Sequence, residues 1–81
     1  EANGAGLAAE IVAPLREAVQ TEAVVVITYT GRAGVHRFPI RPLAIEHNGP
    51  LYYLRAVRTA PFEEPAVLRL DRIQGIEPAE A

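Results

Sequence analysis

The chain has 81 residues, 49% of them apolar, and a formal net charge of −2, which fits one small globular domain. It has no Cys, Met, Trp, Lys or Ser, which excludes a Ser, Cys or Lys nucleophile and a Walker-type phosphate loop. No apolar run approaches the roughly 20 residues of a membrane span, and the first residues lack the pattern of a signal peptide. We therefore expect a non-enzymatic, cytoplasmic domain. Because the first residue is Glu, we expect it to be a segment of a longer chain.

Charge is distributed unevenly along the sequence. Residues 1–22 contain four Glu and one Arg, whereas residues 32–72 contain seven Arg and four acidic residues, a local balance of +3. Every basic residue is Arg, whose planar guanidinium makes bidentate contacts with phosphate or carboxylate. The alternative interpretation is that these arginines only solvate strand surfaces.

An apolar stripe predicts a helix over residues 7–20, after a short segment, residues 1–6, that we expect to be disordered. The stripe repeats every four residues, as one face of a helix does, at Leu7, Ile11, Leu15 and Val19. Pro14 interrupts it, so we expect the helix to kink there or a second segment to begin. We interpret the stripe as a packing surface.

Two extended segments follow the helix. Residues 23–30 are rich in β-branched residues and end before a Gly-Arg-Ala-Gly turn, which predicts a strand. Residues 35–46 form a second strand. Pro39 and Pro42 cannot donate ladder hydrogen bonds, so this strand is expected to have a free edge or a sharp bend.

Three more strands complete the predicted domain. A His-Asn-Gly turn precedes the third strand, and a loop over residues 59–64 precedes the fourth. The three strands are expected at residues 51–58, 66–70 and 73–77. Five short strands joined by tight turns predict a mainly β fold, a five-stranded antiparallel barrel over residues 23–77 behind the N-terminal α-helix.

Four short blocks, in this order, carry a family resemblance: Val26-Ile27-Thr28-Tyr29, Arg37 with Pro42-Leu43, Tyr52-Tyr53-Leu54, and Leu68 to Ile73. The third block stands where WYL domains have Trp-Tyr-Leu. The fourth, Leu-Arg-Leu-Asp-Arg-Ile, is similar to their Phe-Arg-Leu-Asp-Arg-Ile ending. The chain departs from the family at Ala66, where many members have an Arg that would contact a ligand, and Tyr52 and Leu68 replace the family's Trp and Phe.

The resemblance implies an Sm-like small β-barrel over residues 7–78, with residues 79–81 as a tail. It also implies a ligand-sensing domain of a bacterial transcription regulator, preceded in the parent chain by a DNA-binding helix-turn-helix. Nucleic acid or a nucleotide is the ligand class that the resemblance favours. No cofactor is implied.

Four arginines are the main candidates for ligand binding. Arg37 and Arg41 share one face of the second strand, and Arg69 and Arg72 bracket the last turn. Together they are candidates for a cradle around phosphate oxygens. The alternative is that Arg69 and Arg72 pair with Asp71 or with the neighbouring glutamates and fix the end of the barrel.

Tyrosines near these arginines are candidates for base stacking. Adjacent Tyr52 and Tyr53 point to opposite faces of the third strand, so at most one of them lies in the core. We assign Tyr52 to the core, which leaves Tyr53 and Tyr29 as the stacking candidates.

Neither the histidines nor the paired glutamates indicate catalysis. His36 and His47 are the only His residues, and without Cys they do not suggest a metal site. Glu63 and Glu64 are expected in a solvated, Pro-flanked loop. Two functions stay open: binding of a phosphate-bearing ligand, such as short single-stranded nucleic acid or a nucleotide, and a non-catalytic interaction module that forms a homodimer through the helix or an open strand edge.

Overall fold

The computed structural model describes residues 9–79, which form one helix followed by a five-stranded antiparallel sheet. The expected disorder of residues 1–6, the start of the stripe at Leu7 and most of the predicted tail lie outside the described residues. The elements in chain order are α1 (Ala9–Thr21), β1 (Val25–Gly31), β2 (Gly34–Asn48), β3 (Leu51–Arg58), β4 (Glu64–Arg69), a 3-10 turn (Leu70–Arg72) and β5 (Ile73–Pro78).

Helix α1 covers one face of the sheet. Its buried residues are Ile11, Leu15 and Ala18, so the predicted packing stripe is confirmed at Ile11 and Leu15, whereas Val19 is only partly buried. Pro14 lies inside a continuous helix. The helix ends where Glu22 takes a left-handed conformation, φ 60°, and the Ala23 N–H donates to the Ala18 carbonyl at 3.1 Å. No helix within residues 9–79 has the length and apolar character needed to cross a membrane.

Strand β2 is long because it serves two partners in succession. Its first half, up to Ile40, pairs with β1, and its second half, from Ile40, pairs with β3. The register shifts between Pro42 and Ala44, so Leu43 is bulged out and exposed. The Pro39 carbonyl accepts from the Thr59 N–H at 3.2 Å, beyond the last pair of the β3 ladder. Of the two alternatives predicted from the prolines, a free edge or a sharp bend, the bulge after Pro42 supports the bend, and β2 lies inside the sheet.

The sheet has the strand order β4-β3-β2-β1-β5 and curls so that edge strand β4 comes within hydrogen-bond distance of β1. The 3-10 turn joins the edge strands β4 and β5 and contacts both β1 and β3. No β4–β5 ladder occurs among the described residues, so the small barrel is open at this seam. The core fills the concave face, where the fully buried large side chains are Leu15, Ile27, Ile40, Pro42, Leu54 and Leu70.

Element boundaries differ only slightly from the predicted ones. Strand β4 begins at Glu64, not at Ala66, so Glu64 belongs to the sheet and the loop ends at Glu63. Strand β5 extends one residue further, to Pro78. Strand β2 continues to Asn48, because the hairpin turn is confined to Gly49-Pro50 and Gly49 has the positive φ, 62°, that it requires.

The seam of the barrel is bridged by one side chain. The backbone N–H of Arg69, in β4, donates to the hydroxyl of Tyr29, in β1, at 3.1 Å. In a strand, N–H groups point alternately to the two sides, so Val67 and Pro65 also direct their backbone nitrogens away from β3. Pro65 carries no N–H and the Arg69 N–H is satisfied. Within β4, only Val67 offers a donor of this orientation.

We expect Tyr29→Phe to destabilise the domain by about 1–3 kcal/mol, because the part-buried Arg69 N–H loses its acceptor. Urea unfolding followed by circular dichroism measures this difference. Tyr53→Phe is the matched control, since the Tyr53 hydroxyl has no hydrogen-bond partner among the described residues. Equal stability losses in the two variants would contradict the assigned role of Tyr29.

Candidate ligand-binding site

The two faces of the sheet differ in chemistry. The concave face packs against α1 and is apolar. On the opposite face, strands β2, β3 and β4 carry the outward side chains of Arg37, Arg41, Tyr53, Arg55 and Arg69. We call these five residues the basic face. Side chains alternate along a strand, so the core positions between them fix their outward direction.

Tyr53 and Arg69 are direct neighbours across the β3–β4 ladder. The Arg69 N–H donates to Tyr29 and not to β3, so Tyr53 and Arg69 form a non-hydrogen-bonded pair. In such a pair the two opposite side chains are closest to each other. Arg69 also forms a bidentate pair with Asp71, with Nε–Oδ1 and Nη2–Oδ2 distances of 3.1 and 2.6 Å. That hydrogen-bonded pair raises the pKa of Arg69 and lowers the pKa of Asp71.

Other cations of the basic face meet carboxylates at the surface. Arg37 reaches across β1 to Glu77, with an Nη2–Oε1 distance of 2.8 Å, and Arg55 lies 3.4 Å from Glu46. More than half of each of these four side chains is exposed. Such exposed pairs contribute only about 0.2–1 kcal/mol, so a ligand oxyanion can replace the carboxylate. No ion pair of Arg41 occurs within residues 9–79.

A shallow groove borders the basic face near the turn of the β2–β3 hairpin. It has a volume of about 300 Å³ and is lined by Glu46, His47, Asn48, Tyr53, Arg55 and Val67. Tyr53 and Arg55 thus stand side by side in a surface depression. The sequence showed Arg55 on the same face as Tyr53, yet it was not among the predicted site residues.

The six predicted site residues do not form one compact cradle. Arg37, Arg41, Arg69 and Tyr53 lie on the basic face, and Arg72 closes the 3-10 turn beside it. Tyr29 lies on the concave face, where its ring packs against the core at 6.3 Å from the Phe38 ring. Tyr29 and Tyr53 thus occupy opposite faces, and the Tyr29 hydroxyl is already engaged. Tyr52 packs against the core, as predicted.

A second arginine that sequence reasoning missed lies on the concave face. Arg58 ends β3 with its guanidinium carbon 4.5 Å from the centroid of the Phe38 ring, and its Nε atom is buried without a hydrogen-bond partner. Cation–π stacking contributes about 0.5–2 kcal/mol, whereas an unsatisfied buried donor costs about 1–3 kcal/mol. The sequence feature that could have placed Arg58 on the concave face is its two-residue spacing from Ala56 and Leu54.

The arrangement can bind anions and planar groups, and it offers little for chemistry. Bidentate guanidinium groups suit phosphate or carboxylate oxygens, and the Tyr53 ring suits a flat ring system. No group of three or more His, Cys, Asp or Glu residues that could hold a metal ion occurs within residues 9–79. The two histidines lie on β2, and His47 packs against Tyr52 with 5.2 Å between ring centroids.

Fold and surface together define a small open β-barrel with an N-terminal helix and a basic outer face. The sequence profile of the WYL domain matches residues 10–78, so the chain belongs to the WYL domain family. Domains of this family are regulatory, ligand-sensing parts of transcription regulators. No curated protein sequence matches the chain.

Among solved structures, the chain is similar to the proteasome accessory factor B/C (PafBC) of Arthrobacter aurescens. The TM-score is 0.77 at 22% sequence identity, and the match covers 86% of this chain. It covers only 11% of the PafBC chain. At this identity the similarity establishes the fold.

We expect Arg69→Ala to raise the pKa of Asp71 toward its ordinary value, because the hydrogen bond from Arg69 is the main cause of the lowering. A lowered pKa in the folded state gives stability above the ordinary carboxyl pKa, and that stability is lost as pH falls through the lowered value. NMR titration of the Asp71 carboxyl carbon measures the shift. An unchanged Asp71 pKa in the variant would contradict the pairing, and Arg37→Ala serves as the control.

Proposed function

We propose that this domain is a non-enzymatic sensor that binds a phosphate-bearing ligand, short single-stranded nucleic acid or a nucleotide, on its basic face. The ligand regulates the parent chain, in which a DNA-binding domain precedes this one. The carrying observation is the row formed by Tyr53 and Arg69, an aromatic ring and a guanidinium adjacent on one exposed face.

The layout of the basic face favours an elongated ligand. Arg37 and Arg41 are four residues apart on β2, or roughly 13 Å at about 3.3 Å per residue, and Arg69 lies two strands away on β4. One phosphate cannot touch all three. A strand of a few nucleotides could contact them in turn, with one base on Tyr53, while a mononucleotide would use Arg69, Arg72 and Tyr53.

The existing ion pairs of the basic-face arginines lower the affinity of such a site for phosphate. A phosphate that binds Arg37 or Arg69 displaces Glu77 or Asp71, so the net gain is smaller than for a free arginine. Binding that exchanges surface ions weakens as salt rises. We therefore assign the domain a moderate, salt-sensitive affinity suited to sensing.

The rival function is homodimerisation through a strand edge. Edge strand β4 is poorly suited to pairing, because Pro65 lacks an N–H and Tyr29 occupies that of Arg69. A dimer built on this edge would show a molar mass in light scattering that rises with concentration, and Arg37→Ala and Arg69→Ala would leave it unchanged. We expect no such rise over the micromolar range. A dimer that Val67→Pro abolishes would favour the rival function.

The central test is a fluorescence titration of the chain with labelled single-stranded oligonucleotides at two salt concentrations. We expect Arg37→Ala, Arg41→Ala and Arg69→Ala each to weaken binding and to reduce the salt slope by about 0.7 per lost phosphate contact. Tyr53→Ala should weaken binding about 5- to 150-fold, the equivalent of roughly 1–3 kcal/mol, without changing that slope.

Arg16→Ala is the matched control, because Arg16 is an exposed arginine on helix α1 and is not one of the five basic-face residues. Loss of binding in this control equal to that of Arg69→Ala would indicate nonspecific attraction. No binding at low salt, or binding indifferent to the basic-face substitutions, would overturn the proposed function. Titration with a mononucleotide distinguishes the two ligand forms.

A further inference from the structure

A groove separate from the basic face lies between helix α1 and the β2–β3 hairpin, near the turn of the hairpin. Its volume is about 470 Å³, and small-molecule sites usually have roughly 300–1,000 Å³. None of the five basic-face residues lines it. We call it the helix–hairpin groove. Its lining residues are Arg16, Val19 and Gln20 from the helix and Ile45, Glu46, His47 and Tyr52 from the hairpin.

The helix wall of this groove carries a cation and an amide. Arg16, Val19 and Gln20 are spaced by three and four residues, so they are neighbours on one side of α1. Arg16 and Gln20 are exposed, and no ion pair of Arg16 occurs within residues 9–79. A guanidinium holds a carboxylate through two hydrogen bonds, and the amide NH2 of a neighbouring glutamine can donate a third. The helix wall therefore suits a single carboxylate group.

The hairpin wall carries two aromatic rings. His47 on β2 is directly opposite Tyr52 on β3, and the two ring centroids are 5.2 Å apart with 47° between the ring planes. Tyr52 packs against the core, which holds its ring in place, whereas His47 is exposed. Aromatic rings pack against other flat rings in offset or edge-on contacts. The hairpin wall therefore suits a planar ring system.

Apolar side chains lie between the two walls. Val19 on α1 and Ile45 on β2 are only partly buried, and both line the groove. A ring placed over them removes this apolar surface from water, which favours binding. The groove thus combines a guanidinium, two rings and an apolar floor.

We propose that the helix–hairpin groove binds a small planar aromatic carboxylate. Arg16 and Gln20 hold the carboxylate, and the ring lies on the apolar floor against Tyr52 and His47. Such a ligand contacts the helix and the sheet at the same time. The site goes beyond the function proposed for the basic face and does not depend on it.

Charge and shape together select this ligand class. An organic cation is repelled by Arg16, and a bare inorganic anion leaves the apolar floor uncovered. A saturated carboxylate of similar size makes poorer contact with the two rings, because it is not flat. Glu46 does not cancel the preference for an anion, because its carboxylate lies 3.4 Å from the guanidinium of Arg55 on the basic face.

The test is an NMR titration of the 15N-labelled 81-residue chain with 2-naphthoate, at constant pH and ionic strength. We expect the backbone amide signals of Val19, Gln20, Ile45 and His47 to shift saturably with one common dissociation constant. Decahydro-2-naphthoate has the same charge and the same carbon skeleton without the flat rings. It should bind about two- to tenfold more weakly. Adenosine monophosphate is the phosphate-bearing arm and should not saturate these four signals.

Arg16→Ala should weaken naphthoate binding by about tenfold or more, because the charged hydrogen bonds to the carboxylate are lost. Arg32→Ala is the matched control, since Arg32 is an exposed arginine in the turn between β1 and β2 and does not line the groove. Val19→Trp should block binding by filling the floor, with circular dichroism as the check that the variant is folded. Gln20→Ala, at an exposed position, should weaken binding without affecting the fold.

Absence of saturable shifts at the groove signals would overturn the site, as would equal losses of affinity in Arg16→Ala and Arg32→Ala. Equal affinity for the saturated analogue would overturn the planar class of ligand. Tighter saturation of the same signals by adenosine monophosphate would overturn the carboxylate class. A failure of oligonucleotide binding by the basic face leaves these results unchanged, because the two sites share no residue.

Discussion

The hydrogen bond from the Arg69 N–H to the Tyr29 hydroxyl joins edge strand β4 to strand β1 across the open seam of the barrel. Tyr29 and Arg69 are forty residues apart in the chain, on strands separated by β2 and β3 in the sheet. Their contact exists only because the sheet curls. The Tyr29 ring packs against the core on the concave face. The same packing places its hydroxyl at the seam, within reach of β4.

That bond decides how β4 presents its side chains. With its N–H turned to the seam, Arg69 occupies a non-hydrogen-bonded position against Tyr53, and its side chain rises on the outer face toward Asp71. The seam and the basic face are therefore two consequences of one backbone orientation. A slip of β4 by one residue would place Arg69 in the core and leave Tyr53 beside an apolar neighbour.

Alternation along the strands was sufficient to predict part of the site. It placed Tyr52 and Tyr53 on opposite faces and Arg37 and Arg41 on one face, because β-strand side chains repeat every two residues. The family resemblance, with Tyr52 at the Trp position, then assigned Tyr52 to the core. Alternation fails beyond the bulge at Leu43, after which Ile45 and not Ala44 turns to the concave face. A pattern of period two carries no information about an inserted residue.

Ion pairs between residues far apart in the chain could not be predicted from the sequence either. Arg37 is forty residues from Glu77 and meets it only because β5 pairs with β1 on the side opposite to β2. The short-range pair of Arg69 with Asp71 was predicted as an alternative, since only Leu70 lies between them in a tight turn. The contact of Arg58 with Phe38 was not predicted, because an arginine at the last residue of a strand is usually interpreted as solvent-exposed.

The spatial arrangement of charge explains how a chain with a net charge of −2 can attract an anion. Glu10 and Glu17 lie on α1 and Glu22 follows its last residue, and α1 packs on the concave side, whereas the basic face is directed to the opposite side. An anion approaching the outer surface meets arginines first and is screened from the helix by the sheet and by salt. Partial neutralisation by Glu46, Glu77 and Asp71 then favours a ligand whose oxygens outcompete carboxylates at several arginines at once. A ligand with one charge gains little binding free energy when it replaces one carboxylate. A ligand with several regularly spaced charges gains binding free energy at each arginine that it contacts.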